Sequence, residues 1–168
     1  PVDSFVLSKA ALGFDGLMHF YDCPKNPAEM AIHQALTAHF GQALPVTPYY
    51  REATPRLQSL FSSFTIPGTT VTCGGFYAAQ GRILRAQPQY PHFIDALTRF
   101  DYNGQSFTNF EMETAGIYGL SQALGFECCS ISAIVANRAN KTFSRKPEHT
   151  IDCLIQTTLE HLTKTVTA

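Results

Sequence analysis

SFTNFEMETAGIYGLSQALG, residues 106 to 125, passes from an extended stretch directly into a helical one. SFTNF (106–110) reads as a short strand. Beyond it Ala115, Gly116, Gly119, Leu120 and Ala123 recur at helical spacing, and Gly125 supplies a stop. Residues this small on one side of a helix predict tight contact with a sheet. A strand that hands over to a sheet-packing helix is the repeating unit of α/β folds.

The same alternation runs along the chain. DSFVLS (3–8) is strand-like from the outset, with no lead-in. Asn26-Pro27 with Glu29 gives a cap, a proline at the first helical position and an acid in the first turn, so a helix is predicted to about Phe40, where Gly41 ends it. Ala28, Ile32, Ala35, Leu36 and Phe40 form its apolar stripe. Thr54-Pro55 opens a shorter helix carrying Leu57, Leu60 and Phe61, and Pro67-Gly68 reads as a break. TTVTCGG (69–75) predicts a strand that its glycine pair releases into the loop FYAAQGRILRAQ. Pro91 starts a further helix, PHFIDALTRF, and Asn103-Gly104 a turn.

CCSISAIVA (128–136) predicts a long strand covered on both faces. Pro147 then opens a final helix with Ile151, Leu154, Ile155, Leu159 and Leu162 as its apolar stripe. The expectation is one α/β domain over residues 1–168, layered α/β/α around a central mixed sheet. Its 168 residues, 45% of them hydrophobic, suffice for one continuous core.

Acids and bases are scattered and the formal net charge is −1, which gives no electrostatic footprint for nucleic acid or an anionic membrane. No apolar run approaches the roughly 18 residues of a membrane-spanning helix. The expected location is cytoplasmic. Five cysteines without a CxxC pair predict free buried thiols, and six histidines without HxH or HExxH spacing give no metal ligands.

Three polar clusters fall after predicted strands, where α/β proteins gather ligands. Gln80 and Arg82, with Phe76, follow the first: a carboxamide and a guanidinium can read a flat ring bearing carbonyls and an N–H, or be a solvated surface pair. Glu111 and Glu113 flank Met112 at a helix mouth. A carboxylate there can accept from two neighbouring hydroxyls, with unpaired backbone N–H groups adding contacts, or simply complement the helix dipole. Asn137-Arg138 follows the third strand and suits a turn equally well.

At these clusters the sequence resembles the uridine phosphorylase branch of the nucleoside phosphorylase superfamily. GFYAAQGR (75–82), NFEMETAG (109–116) and AIVANR (133–138) carry the resemblance in the family's order, and GFDGLMHFYD (13–22) and the terminal helix extend it over essentially the whole chain. The resemblance implies a partial nucleoside phosphorylase-like fold and, in the complete enzyme, reversible phosphorolysis of uridine to uracil and ribose 1-phosphate in pyrimidine salvage. Phosphate would be a co-substrate, and no cofactor would be needed. Gln80 and Arg82 would hold the uracil edge with Phe76 beside the ring. Met112 and Glu113 would hold the ribose with Glu111 supporting the same wall, and Arg138 would orient the recognition loop. Gln80, Arg82 and Glu113 are the implied catalytic groups.

The family's members are longer, and its amino-terminal half, which carries the phosphate-binding residues, has no counterpart here. The chain is therefore expected to be a carboxyl-terminal portion, inactive alone, of a homo-oligomer that is a dimer or hexamer. Two alternatives stand beside this: a purine nucleoside phosphorylase or nucleosidase sharing the ribose wall, and a non-catalytic nucleoside-binding or assembly module.

Overall fold

The computed structural model describes residues 1–41, 44–104, 106–138 and 140–166, with side chains to residue 164. Its centre is a five-stranded mixed sheet in the order β2-β1-β3-β4, formed by Tyr49–Glu52, Phe5–Gly13, Ile66–Thr72 and Phe107–Glu111. β1, β3 and β4 are parallel. β2 and the short β5 (Ile131–Ala133) divide the other edge of β1 between them, both antiparallel.

Strand alternation sends successive side chains of β1 to opposite faces. Ala10 and Leu12 join Val71 of β3 under α1 (Pro27–Phe40) and α3 (Phe93–Arg99), where Ile32, Leu36, Phe93 and Leu97 are buried. Ala11 points the other way, to Ala115 and Tyr118 of α4 (Thr114–Leu124). Helices thus cover both faces, as the layered α/β reading expected. Each of the fully buried leucines 12, 36 and 97 contributes about 1.5–3 kcal/mol by leaving water.

Local signals set several boundaries. The Asn26 side chain accepts the Glu29 N–H at 2.7 Å, and Gly41 closes α1 in the left-handed conformation. α2 is Pro55–Phe61. The small face of α4 makes the predicted close contact: a Cβ on Gly116 would lie 2.8 Å from the Leu17 side chain, and one on Gly119 would overlap Met18.

Other expectations need correction. β1 extends to Gly13, well beyond residue 8, because β2 and β3 flank its second half. β2 itself has no clear sequence signal; its Arg51 is buried against Glu29 of α1, an ion pair that places the acid of the first helical turn inside. Pro67-Gly68 lies within β3 and does not break it. At those residues β3 pairs only with β1, since the β4 ladder starts at Thr69, so one edge there has no rung for the missing proline N–H to break.

The predicted long strand 128–136 is only β5 plus the two-residue β6 (Ala136–Asn137), which pairs with β7 (Thr142–Phe143). The backbone before β5 finds partners outside a regular ladder. Cys128 N–H bonds Thr54 Oγ1 at 2.9 Å, and Ser130 N–H bonds the Tyr118 hydroxyl at 2.8 Å. The terminal helix α5 (Pro147–Val166) forms as predicted, but Ile151, Ile155, Leu159 and Leu162 of its stripe are exposed, with no layer over them among the described residues. Of the five free cysteines only Cys73 is buried; the other four are partly accessible.

Candidate active site at the carboxyl ends of the parallel strands

The three parallel strands end together. Gly13 of β1 pairs with Thr72 of β3, and Thr72 with Glu111 of β4, so the segments after residues 13, 72 and 111 leave the sheet at one edge. The Phe14 N–H to Thr72 C=O bond, 2.7 Å, and the Cys73 N–H to Glu111 C=O bond, 3.0 Å, continue the ladder to that rim.

On one side of the rim is the amino end of α4. Glu111 is fixed there by three donors: the Thr72 hydroxyl on Oε1, and the Glu113 and Thr114 N–H groups on Oε2 at 2.8 and 2.7 Å. Thr72 Oγ1 also accepts the Ala115 N–H at 2.9 Å. The Glu113, Thr114 and Ala115 N–H groups, among those expected to face a ligand, are therefore already bonded, and Glu111 acts as the cap of α4 from three residues before its first residue. The two acids differ: Glu111 complements the helix, as one reading of the pair expected, and Glu113 is exposed. The Glu113 carboxylate accepts only the Met112 N–H, at 3.3 Å, among the described residues. Met112 beside it is exposed as well.

On the other side is the loop after β3. The Arg82 guanidinium donates to Gln80 Oε1 at 2.9 Å and to the Phe76 carbonyl, and it stacks on the Phe76 ring with 3.6 Å to the centroid. Gln80 is buried. Arg82 holds its side-chain carbonyl oxygen, which leaves Nε2 as the donor of the amide, and no acceptor among the described residues takes it. Gly81 between them has φ +72° and lies so close to Ile94 that a Cβ would be 2.7 Å from it, so both conformation and space require glycine.

Arg138 joins the two sides. It donates to the Gln80 carbonyl at 2.7 Å, and its guanidinium lies 5.7 Å from the centre of the Phe110 ring on β4. Burial, followed by the charge of Arg82, pulls its pKa below the usual arginine range. Asn137 holds its own turn, accepting the Asn140 N–H at 3.1 Å. All seven residues singled out in the sequence thus sit on segments at or near this rim.

Two residues of the rim were not singled out. Thr72 ties Glu111 to the sheet, and its only signal is its place as the last strand residue before Cys73 and the glycine pair. Asp15 follows β1 on the same rim; its Oδ1 accepts the Leu17 N–H at 3.2 Å, and Oδ2 lies 3.5 Å from where a Gly116 Cβ would be. Burial and then the Asp15 carboxylate push the Tyr49 phenol far above its ordinary pKa. Asp-Gly after a strand was a visible signal, yet it pointed to no chemistry. Among the described residues no group of three or more His, Cys, Asp or Glu could hold a metal ion, and no helix is long and apolar enough to cross a membrane.

No protein-family profile and no curated protein sequence matches the chain. Solved structures do. A nucleoside phosphorylase from Trypanosoma brucei that shows uridine phosphorylase activity superposes with a TM-score of 0.82 at 21% identity, covering 98% of this chain and 59% of that one. A uridine phosphorylase from Schistosoma mansoni gives 0.59 at 16% identity, over 98% and 55% of the two chains. A purine nucleoside phosphorylase from Toxoplasma gondii gives 0.52 at 16% identity, over 95% and 55%. The chain has the fold of these enzymes and spans a little over half of their length.

Proposed function

We propose that the chain supplies the base and ribose half-sites of a uridine phosphorylase, which in complete form converts uridine and phosphate to uracil and ribose 1-phosphate. The observation that carries this reading is the shared rim. Gln80 and Arg82 follow β3, Glu113 follows the adjacent β4, and Arg138 bridges the two.

Each group has a role that its geometry suits. The Nε2 of Gln80 donates to a ring carbonyl, its Oε1 has a second lone pair for the ring N–H, and Phe76 lies beside the ring. Arg82 orients the amide and adds positive charge where the departing uracil becomes negative. Glu113 accepts from the two ribose hydroxyls and, as an anion, favours a sugar that develops oxocarbenium character, with Met112 against it. Glu111 keeps this wall in place. Phosphate is bound outside the groups named here. The reading includes a cytoplasmic homo-oligomer that needs no cofactor.

A purine-cleaving relative shares the fold, but protonation of a purine ring nitrogen suits an acid, and the position after Ala136 offers Asn137, whose oxygen already holds its turn. Calorimetry of the chain with uridine, uracil and inosine tests the half-sites. Phosphate-dependent release of uracil from uridine by a polypeptide with the full-length fold tests the reaction. Preference for inosine in both would replace this reading with the purine one. Uridine binding with no turnover by that longer polypeptide would leave a non-catalytic binding module.

A further inference from the structure

The amino end of β1, at the opposite end of the sheet from the rim, borders a second cavity of about 560 Å³. Phe5 and Phe143 form apolar walls, and Arg145 and Lys146 supply positive charge. His149 and Cys153, one turn apart on α5, line the same space. The Cys153 sulfur lies 3.8 Å from Nδ1 and 3.7 Å from Nε2 of His149, so a small ring rotation lets either nitrogen take the thiol proton.

The charge of this cavity is unbalanced. Its acid, Asp3, is engaged by the Thr150 hydroxyl at 2.8 Å, and hydrogen bonds from Ser144 and Thr150 hold its pKa below the usual carboxylate range. Arg145 and Lys146 take part in no ion pair among the described residues. The other thiols differ. Burial pushes Cys73 up to about 12 and Cys129 up to about 11, while Cys23 and Cys128 pack against the core beneath α4.

We propose that this cavity is a thiol–disulfide exchange site for small disulfides that carry carboxylates. Cys153 is the exchanging thiol, His149 its proton acceptor, and Arg145 and Lys146 the clamp for the carboxylates. His149 removes the thiol proton, and the Cys153 thiolate attacks one sulfur of the disulfide. A new S–S bond forms to Cys153 as the old one breaks, and the leaving sulfur departs with the electron pair and takes the proton from His149. The incoming disulfide is the oxidant, and Cys153 is oxidised to the mixed disulfide. The volume suits a tripeptide-sized adduct.

The test exposes the full chain to oxidised glutathione, to the cationic disulfide cystamine and to neutral 2-hydroxyethyl disulfide, with intact mass and peptide mapping as readouts. One glutathione is expected on Cys153, added about tenfold faster than the cystamine half because the cations concentrate the anion. High salt should narrow that gap. Replacing both cations, Arg145→Gln with Lys146→Gln, should abolish the preference while leaving the rate with the neutral disulfide. His149→Phe should slow all three. Adducts spread equally over Cys23, Cys128 and Cys153, equal rates with the anionic and cationic disulfides, or an unchanged rate in His149→Phe would each overturn the proposal.

Discussion

At the amino end of α4 a carboxylate is tied to the sheet through Thr72 and to two backbone N–H groups, whereas across the rim the loop 76–82 has short backbone bonds to its own Tyr77 and Ala78 carbonyls, reinforced by the side chains of Arg82 and Arg138. The first wall inherits the rigidity of the strands. The second adds to its local turn charged side chains that a ligand can compete for. On the function proposed above, a rim built this way would hold the sugar side ready and leave the base side to tighten when a ring arrives, as recognition loops on rigid scaffolds do.

Removing the tie of the first wall should have the largest effect. Glu111→Ala deletes an acceptor used by three donors and is expected to destabilise the chain by about 3 kcal/mol, read by urea unfolding. A change below about 0.5 kcal/mol would mean that the sheet holds α4 without it.

The second wall should respond in binding more than in stability. Gln80→Leu leaves Arg82 with the Phe76 carbonyl as its remaining acceptor and the base without an amide, so uracil affinity should fall about a hundredfold by calorimetry. Retained affinity would remove Gln80 from base recognition. Arg138→Ala should weaken uracil binding about tenfold through the loosened loop, with a smaller change in unfolding free energy; a larger loss of stability than of binding would make Arg138 a structural group.

Glu113→Ala sharpens the contrast with Glu111, because the exposed acid is bonded only to Met112 N–H. Stability should stay within about 0.5 kcal/mol while uridine binding weakens about tenfold and free uracil binding is unchanged. Equal losses for uridine and uracil would give Glu113 no sugar role.

The smallest expected effect lies away from the rim. Asp3 has a depressed folded pKa from its bonds to Ser144 and Thr150, so its contribution to stability is present above the unfolded aspartate value near about 3.9 and is lost as pH falls through the folded value. Thr150→Val should move the Asp3 titration, followed by NMR, back upward and shrink that acid-side loss. An unmoved titration would assign the depression to Ser144 alone.

What the sequence disclosed follows from where its signals act. Caps and periodicity are local, so α1 and the hand-over from β4 to α4 were readable to within a residue or two. β2 was not, because YYRE gains its strand character from pairing with β1 and from the buried Arg51–Glu29 contact, which are about forty and about twenty residues distant in the chain. CCSISAIVA misled because its β-branched composition says nothing of the Thr54 and Tyr118 groups that take its backbone. The α5 stripe was read correctly as amphipathic, but periodicity does not specify what lies over it. At the rim, residue type pointed to the polar groups; only the bond pattern separated the acid that caps a helix from the acid left open.

The capped helix mouth also has a consequence for which sugars can dwell there. Glu111 neutralises the positive pole that makes an uncapped helix end attractive to phosphate, and Glu113 adds a negative charge in front of it. A ribose esterified with phosphate at its 2′- or 3′-hydroxyl would bring an anion to two carboxylates and lose the proton that Glu113 needs. On the function proposed above, such a rim would favour free nucleosides over 2′- and 3′-nucleotides by repulsion alone, before any base is read.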